Sequence, residues 1–525
     1  MNGAVERFGA PLLVLALAAF GVARTQTETN APFAISDPRN VTALVARVGE
    51  ISITAQQFLL SYEFGPGFVK RENDSRKRHL DFMIDEKLLA LDAYVRHWDT
   101  LDLARRSLAE IEGDLATEEL YKDDVLSKAK VTDTEVERGV AQQRKHFVLR
   151  WLFSKSFPES QQAVDLINRG TPFDSLYNRQ LTDSIKPEER SLESNRFVLG
   201  QKNPVIAQIA DTLKPGRVSS PVKGPDGWYV FKLLDGWTDV LPTESDVMKM
   251  RVDVQRALLQ QRADSLSDRY VLRLMESERP ELVKETFQVL TAFIARKVLT
   301  RQEQSAWGVP DSINVDRVEG RRRDKLVSLK SGSLSMGEFL LWYGGRETLI
   351  RLPKTSLPAF TYALEQVVWR MVRDRLLVDR AMRRGLQKRQ IVTAQKKWWQ
   401  EKILYAMAKK AITDSIRLSD AQVRKYFELY QHRYLNAKGV QLTFDDAKDQ
   451  VRRDLFQLEL SQRLFHRLVT LRRRYPVEIN EETLRRLPLD VENSPKAIDV
   501  YAVKKGGTFP HPAFPTIDFD WQMWQ

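Results

Sequence analysis

The sequence predicts a mostly α chain with one inserted α+β domain, on two observations. A helical module is read twice along the 525 residues, and a stretch of about 86 residues belongs to the first reading alone. A third feature supports the insertion: the extra stretch alternates aromatic and aliphatic residues, as half-buried strands do, while its surroundings carry charged helical periodicity.

The repeat is taken first. "SITAQQFLLSY" (Ser52 to Tyr62) aligns with "SLSMGEFLLWY" (Ser333 to Tyr343), which sets Phe58 against Phe339 at an offset of 281. "DEKLLALDA" from Asp85 aligns with "RDRLLVDRA" from Arg373 at 288, and "VTDTEVERGVAQQRKHF" from Val131 with "LSDAQVRKYFELYQHRY" from Leu418 at 287. Three matches in one order, at offsets of 281 to 288, indicate a duplicated helical module. In both copies a hydroxyl residue and an Asp open the last helix, Thr132 with Asp133 and Ser419 with Asp420, the chemistry of an N-cap.

Past that point the offset falls from 287 to 201, where "MRVDV" (Met250 to Val254) meets "VRRDL" (Val451 to Leu455). The surplus lies between Phe147 and Asp246. Its first strand is "HFVLRWLFS"; a helix stops at Gly170, Pro172 starts the next, and Phe173 and Leu176 point inward. A Pro225-Asp226-Gly227 turn leads into the closing strand "WYVFKLL". Strands and helices in the order β-α-α-(α)-β-β make a compact α/β sandwich.

The N-terminus points to export. Arg7 precedes an apolar run from Phe8 to Val22, and Gly21-Val22-Ala23 supplies small residues for cleavage. The run is short for a membrane span, so the mature chain is expected to hold no integral span, with an uncleaved anchor as the alternative. No Cys is present, which removes disulfides, thiol chemistry and Cys-based metal sites. The net charge of +12 comes largely from Arg on helices, a solvated and salt-bridged surface. No zinc-knuckle spacing, RNP-like strand, phosphate loop or paired His appears, so no nucleic acid, cofactor or metal is expected.

The insert resembles a parvulin-type peptidyl-prolyl isomerase domain. The matching pieces are "LRWLF", "NRGTPFDSLY", "LTDS" and "DTLKPGRVSSPV…DGWYVFKL", the last carrying Leu-x-x-Gly-x-x-Ser-x-Pro-Val before a Gly-aromatic strand. The surroundings, "VARVGEISITAQQF" and "HLDFMIDEKLLALDAYVRH", are similar to SurA-type and PpiD-type periplasmic chaperones. The resemblance implies a parvulin-like domain set into a helical chaperone-like module, with Ser245 to Leu274 as the helix returning to the N-terminal part.

It also implies a site. Prolyl isomerisation twists an amide over a barrier of about 18 to 20 kcal/mol and needs an apolar proline pocket with polar groups for the twisted carbonyl. The family uses two His on adjacent strands; carried over, these positions fall on Arg150 and Tyr229, both departures. His146 is the alternative for the first, if the strand register shifts. The polar Cys-or-Asp position falls on Asp183 or Ser184, and substrate-binding positions on Lys202, Ile206 and Trp228. "PEERSLESNRF" replaces the family's Gly-Gly loop. The isomerase is accordingly expected to be weak or lost.

Boundaries follow as signal peptide 1–23, linker 24–40, helical module 41–146, parvulin-like domain 147–238, return helices 239–300, linker 301–324, second module 325–435, its return helix 436–490 and an extended aromatic tail 491–525. The expected function is a periplasmic folding factor for unfolded exported polypeptides, outer-membrane proteins among them. An active isomerase and a structural assembly factor with a dedicated partner are the alternatives. Trp398 and Trp399 read as a packed helix face, and the Pro-rich tail as either a strap across the protein's own surface or a docking segment.

Overall fold

A computed structural model describes residues 43–63, 65, 70, 74–182, 185–240, 243–308, 320–487 and 514–518. The expected signal peptide, the 24–40 linker, Asp183, Ser184 and most of the tail lie outside them.

Strand β1 (Leu44–Val48) turns at Gly49, whose φ of +54° suits glycine, into β2 (Ile51–Thr54), and helices α1 (Ala55–Glu63), α2 (Ser75–Val95) and α3 (Asp102–Asp124) follow. Helix α4 (Asp133–Gln143) starts at Thr132, which forms a capping box with Glu135. Then come β3 (Lys145–Ser154), α5 (Phe157–Asn168), α6 (Phe173–Gln180), β4 (Ser191–Asn195), α7 (Arg196–Lys202), α8 (Pro204–Thr212), β5 (Val222–Lys223), β6 (Trp228–Thr238) and the long α9 (Glu244–Glu278). The remainder is β7 (Glu281–Leu282), α10 (Lys284–Val298), α11 (Arg301–Ala306), β8 (Lys325–Leu329), β9 (Gly332–Ser335), α12 (Met336–Gly344), α13 (Leu357–Arg383), α14 (Gln390–Ser415), α15 (Asp420–Tyr430), α16 (Phe444–Arg474), β10 (Val477–Ile479) and α17 (Glu481–Arg486). Ser419 caps α15 in a second capping box, with Gln422. The described chain is mostly helical with small antiparallel sheets, and none of its helices is long and apolar enough to cross a membrane.

Two compact units emerge, one of residues 123–272 and one of the described residues up to 122 and from 273 onward. The larger unit holds two three-stranded sheets, β10-β1-β2 and β7-β8-β9. Their hairpins share a detail of register: pairing shifts between Leu44 and Ala46 in one and between Lys325 and Val327 in the other. The helix after each hairpin buries a Phe completely, Phe58 or Phe339, with a Tyr one turn on. Phe58 stacks on Tyr62 and Phe339 on Tyr343 with the same centroid distance, 5.8 Å, and the same interplanar angle, 21°.

Up to residue 272, α9 lies in the smaller unit, where Val254 packs on Val136 and Phe197 and Arg262 pairs with Glu135 at 2.7 Å. The strand that follows it, β7, pairs with β8. The first hairpin is completed instead from the far end of the chain, by β10, with Ala46 opposite Ile479 and Val48 opposite Val477. Helix α16 leads into that strand and adds Leu460, Leu464, Leu468 and Leu471 to the core around Phe58. A strand takes whichever partner offers matching hydrogen bonds and a buried face, and nothing local in "PVEIN" names that partner.

His79 sits in the Phe58 core, 1% exposed, between the rings of Phe58 and Tyr62 and hydrogen-bonded through Nε2 to Ser61 Oγ at 2.9 Å. Burial, with some help from the Lys70 charge, lowers its pKa from 6.5 to about 3. The folded protein therefore keeps this ring neutral while the unfolded chain protonates it below pH 6.5. Its contribution to stability is complete above that pH and is lost as pH falls toward 3, at up to about 1.4 kcal/mol per pH unit. Urea unfolding at pH 7 and pH 5 is expected to show a smaller drop in His79→Gln than in the parent; equal drops would mean that the buried ring does not drive the loss.

Candidate functional site

The smaller unit carries a four-stranded antiparallel sheet in the order β4-β3-β6-β5. Strands β3 and β6 form its centre, paired from Lys145 with Thr238 to Ser154 with Trp228. Beyond a register shift between Val148 and Leu149 the pairing is regular, with Arg150 opposite Lys232, Leu152 opposite Val230 and Phe153 opposite Tyr229. Directly opposed residues share a face and successive residues alternate, so this register decides what can meet.

On one face Leu152 and Val230 pack with Val164 of α5 and Phe173 and Tyr177 of α6. Arg150 lies here. Its guanidinium is 5.1 Å from the Tyr177 ring centre and 3.5 Å from Asp174 Oδ1. Lys232 sits 5.1 Å from the Phe173 ring centre and donates to Asp174 at 3.1 Å. Trp228 shares the face, edge-on to Phe157 at 4.8 Å.

The other face holds Trp151, Phe153, Tyr229 and Phe231. The Tyr229 ring packs edge-on to Phe153 at 5.3 Å and stacks on Phe231 at 6.1 Å. It is 5% exposed, and its hydroxyl donates to Asp226 Oδ1 at 2.6 Å. Burial first, and the Asp226 carboxylate second, push this phenol well above its ordinary pKa, so it stays protonated. The turn glycines make room for the packing: a Cβ on Gly224 would fall 2.5 Å from the Tyr229 ring, and one on Gly227 2.5 Å from the Phe153 ring. Farther along the same face, Leu149 and Leu233 meet Leu199, Ala207 and Ala210 of α7 and α8.

Arg150 and Tyr229 therefore lie on opposite sides of the sheet, and the structure does not bring them together. Ile206 is packed against the Leu149 and Leu233 cluster, and Lys202 is exposed at the end of α7. Asp183 and Ser184 fall outside the described residues; Thr182 and Ile185 on either side of them exchange backbone hydrogen bonds at 3.0 and 3.2 Å. His146 pairs with Trp237, eight residues along β6 from Tyr229 or about 26 Å of strand, stacks on that Trp at 5.1 Å and bonds Asp239. It cannot replace Arg150 in a site at Tyr229. Two surface recesses of about 400 and 300 Å³ lie along α5, and none of Arg150, Tyr229, Lys202, Ile206 or Trp228 lines either. Among the described residues no three His, Asp or Glu gather as metal ligands.

Sequence reasoning missed two residues and a strand. Gln180 binds Phe153 at both backbone positions, accepting from its N–H at 2.9 Å and donating to its carbonyl at 3.0 Å, where β4 no longer covers β3. Arg190 donates to Gln180 Oε1 at 2.6 Å, and its guanidinium lies 5.7 Å from the Phe153 ring centre. The segment that replaces the Gly-Gly loop supplies Arg190 and then forms strand β4, whose "SLESN" is too polar to read as a strand.

No family model matches the chain. Foldase protein PrsA 3 of Bacillus cereus is 24% identical to it over 170 residues, 32% of this chain and 58% of that relative. The chain is thus similar to this foldase at low identity and spans less than two thirds of its length. Solved structures similar to this chain include the peptidylprolyl isomerase PrsA of Bacillus cereus, at 18% identity over 43% of this chain and 86% of that one, with a TM-score of 0.24. A second is a SurA-like chaperone of Campylobacter jejuni, from work on PEB4 and Cj1289, at 14% identity over 45% and 98%, with a TM-score of 0.21. The two strand positions that the resemblance to parvulin-type domains singles out hold Arg150 and Tyr229, which face apart.

Proposed function

We propose that the chain is an exported folding factor that binds unfolded polypeptides, and that its parvulin-type domain serves binding with little or no prolyl isomerisation. The observation that carries this reading is the separation of Arg150 from Tyr229 by the sheet, together with the Tyr229 hydroxyl committed to Asp226. A twisted prolyl carbonyl needs donors converging on one point, and these two cannot converge. The face around Tyr229 offers half-exposed Trp151 and Phe153 with the Arg190 cation beside them, a surface suited to apolar and aromatic side chains. The expected signal at residues 1–23 supports a periplasmic location, and outer-membrane polypeptides are the client class the proposal names.

The reading includes two copies of one helical module. The repeated sequence, the common strand order, the shared register break and the matching Phe–Tyr stacks support it.

A protease-coupled proline-peptide assay tests the chemistry. The rate is expected to equal the uncatalysed exchange of tens to hundreds of seconds, and to be unchanged in Tyr229→Phe. Acceleration that Tyr229→Phe abolishes would establish an active isomerase instead. Aggregation of an unfolded outer-membrane protein, followed by light scattering, tests the binding role; no suppression at stoichiometric protein would sink it.

A further inference from the structure

The larger unit binds a short piece of its own tail. Residues 514–518, Phe-Pro-Thr-Ile-Asp, lie extended along α14 beside α2, beyond the 26 residues 488–513. The Phe514 ring stacks on Trp398, with centroids 6.5 Å apart and planes 12° apart. Ile517 is 6% exposed and belongs to the same core cluster as Tyr405 and Ala408. Asp518 accepts from Tyr405 Oη at 2.9 Å and from Lys409 Nζ at 2.5 Å, and its backbone N–H donates to Glu86 Oε1 at 2.7 Å. Lys402 in turn holds Glu86 at 2.6 Å and lies over the Tyr405 ring at 4.7 Å.

The spacing fits an extended peptide. Trp398, Tyr405 and Lys409 form one stripe of α14, with Lys409 about 16 Å along the axis from Trp398. The four steps from Phe514 to Asp518 cover about 13 Å of extended chain. An aromatic, an aliphatic and a carboxylate at the first, fourth and fifth positions of a peptide therefore meet a ring, an apolar slot and a cation. Burial works against the Asp518 charge, yet the bonds from Lys409 and Tyr405 outweigh it and hold the carboxyl below its ordinary pKa.

We propose that this groove between α14 and α2 is a peptide-binding site for extended segments of aromatic–x–x–aliphatic–acidic pattern, and that residues 514–518 are its internal, displaceable occupant. The proposal rests on the reading of the chain as a binder of unfolded polypeptides and names one place where binding occurs. Displacement is built in. One buried aliphatic side chain, one ring stack, a partly buried ion pair and two further hydrogen bonds must offset the ordering of five residues, so the docked segment is held by a small margin. The tether presents it at an effective concentration on the order of millimolar, which sets what a competing peptide must exceed.

The test uses a fluorescein-labelled peptide of residues 512–520, read by fluorescence anisotropy. Against the full chain it is expected to bind at least tenfold more weakly than against the chain ended after Ala513. Ile517→Asp in the full chain, which removes no residue, is expected to give the same gain. Lys409→Glu in the shortened chain is expected to lose at least tenfold. Equal binding to the full and shortened chains, or binding undiminished by Lys409→Glu, overturns the proposal. If shortening unfolds the chain while Ile517→Asp folds and binds no better, residues 514–518 are a structural strap only and the proposal also falls. Peptide capture without aggregation suppression would sink the folding-factor reading alone; suppression without peptide capture would sink the groove alone.

Discussion

Glu401→Ala is expected to remove about 3 to 5 kcal/mol of unfolding free energy. Glu401 on α14 is 3% exposed, and its Oε2 lies 2.5 Å from the Nζ of Lys87 on α2, itself 5% exposed. Removing the carboxylate leaves an ammonium group sealed in an apolar helix interface without its partner. The pair itself adds much less than that loss, because bringing both charges out of water costs nearly what their attraction returns. Lys87→Met combined with Glu401→Leu is therefore expected to unfold at about the parent's urea midpoint. A Glu401→Ala chain that unfolds within about 1 kcal/mol of the parent would mean that water reaches Lys87. Lys87→Met completes the double-mutant cycle and isolates the pair's own coupling.

Phe58→Ala and Phe339→Ala are expected to cost about 3 to 5 kcal/mol each, the range for emptying a fully buried phenyl site. Both rings are 0% exposed, and they belong to separate core clusters. The two losses should therefore add within about 0.5 kcal/mol in the double variant. Hydrogen exchange should report each loss in its own neighbourhood, around β1, β2 and α1 for Phe58 and around β8, β9 and α12 for Phe339. If one substitution proved costly and the other cheap, the two hairpin-helix units would not be equivalent in packing, and the proposed duplication would lose its physical support.

What the sequence made legible was local. The capping boxes at Thr132 and Ser419 follow from hydroxyl residues placed three before Glu or Gln. Gly170 ends its helix at a φ of +105°, a conformation glycine adopts without strain. Trp398 and Trp399 proved buried, as a helix face with neighbours on two sides should be. Illegible features all depend on a partner distant in sequence. The faces of β3 are assigned by its pairing with β6, and a slip of one residue exchanges them, so "VLRWLF" alone cannot say whether Arg150 or Trp151 accompanies Tyr229. Gln180 became important because β4 ends before Phe153, a gap that no periodicity announces. The candidate site was thus readable as a set of positions and unreadable as a geometry.

The pairing of β10 with β1 has a consequence for how the chain is made. Ala46 is among the first described residues to leave a ribosome, and its partner Ile479 is among the last. A nascent chain that has reached α15 already contains both hairpins, but only β8 can have its outer strand, from the preceding β7. The β1 edge stays unpaired, with its apolar side open, until residues 477–479 arrive. Contacts this distant in sequence form slowly, because a long loop must close before they form. The order of completion therefore runs from the middle outward: β7, β8 and β9 can pair as soon as residue 335 is present, and β1 cannot be completed before residues 477–479 are. An unpaired β edge kept waiting this long is itself a substrate for chaperones.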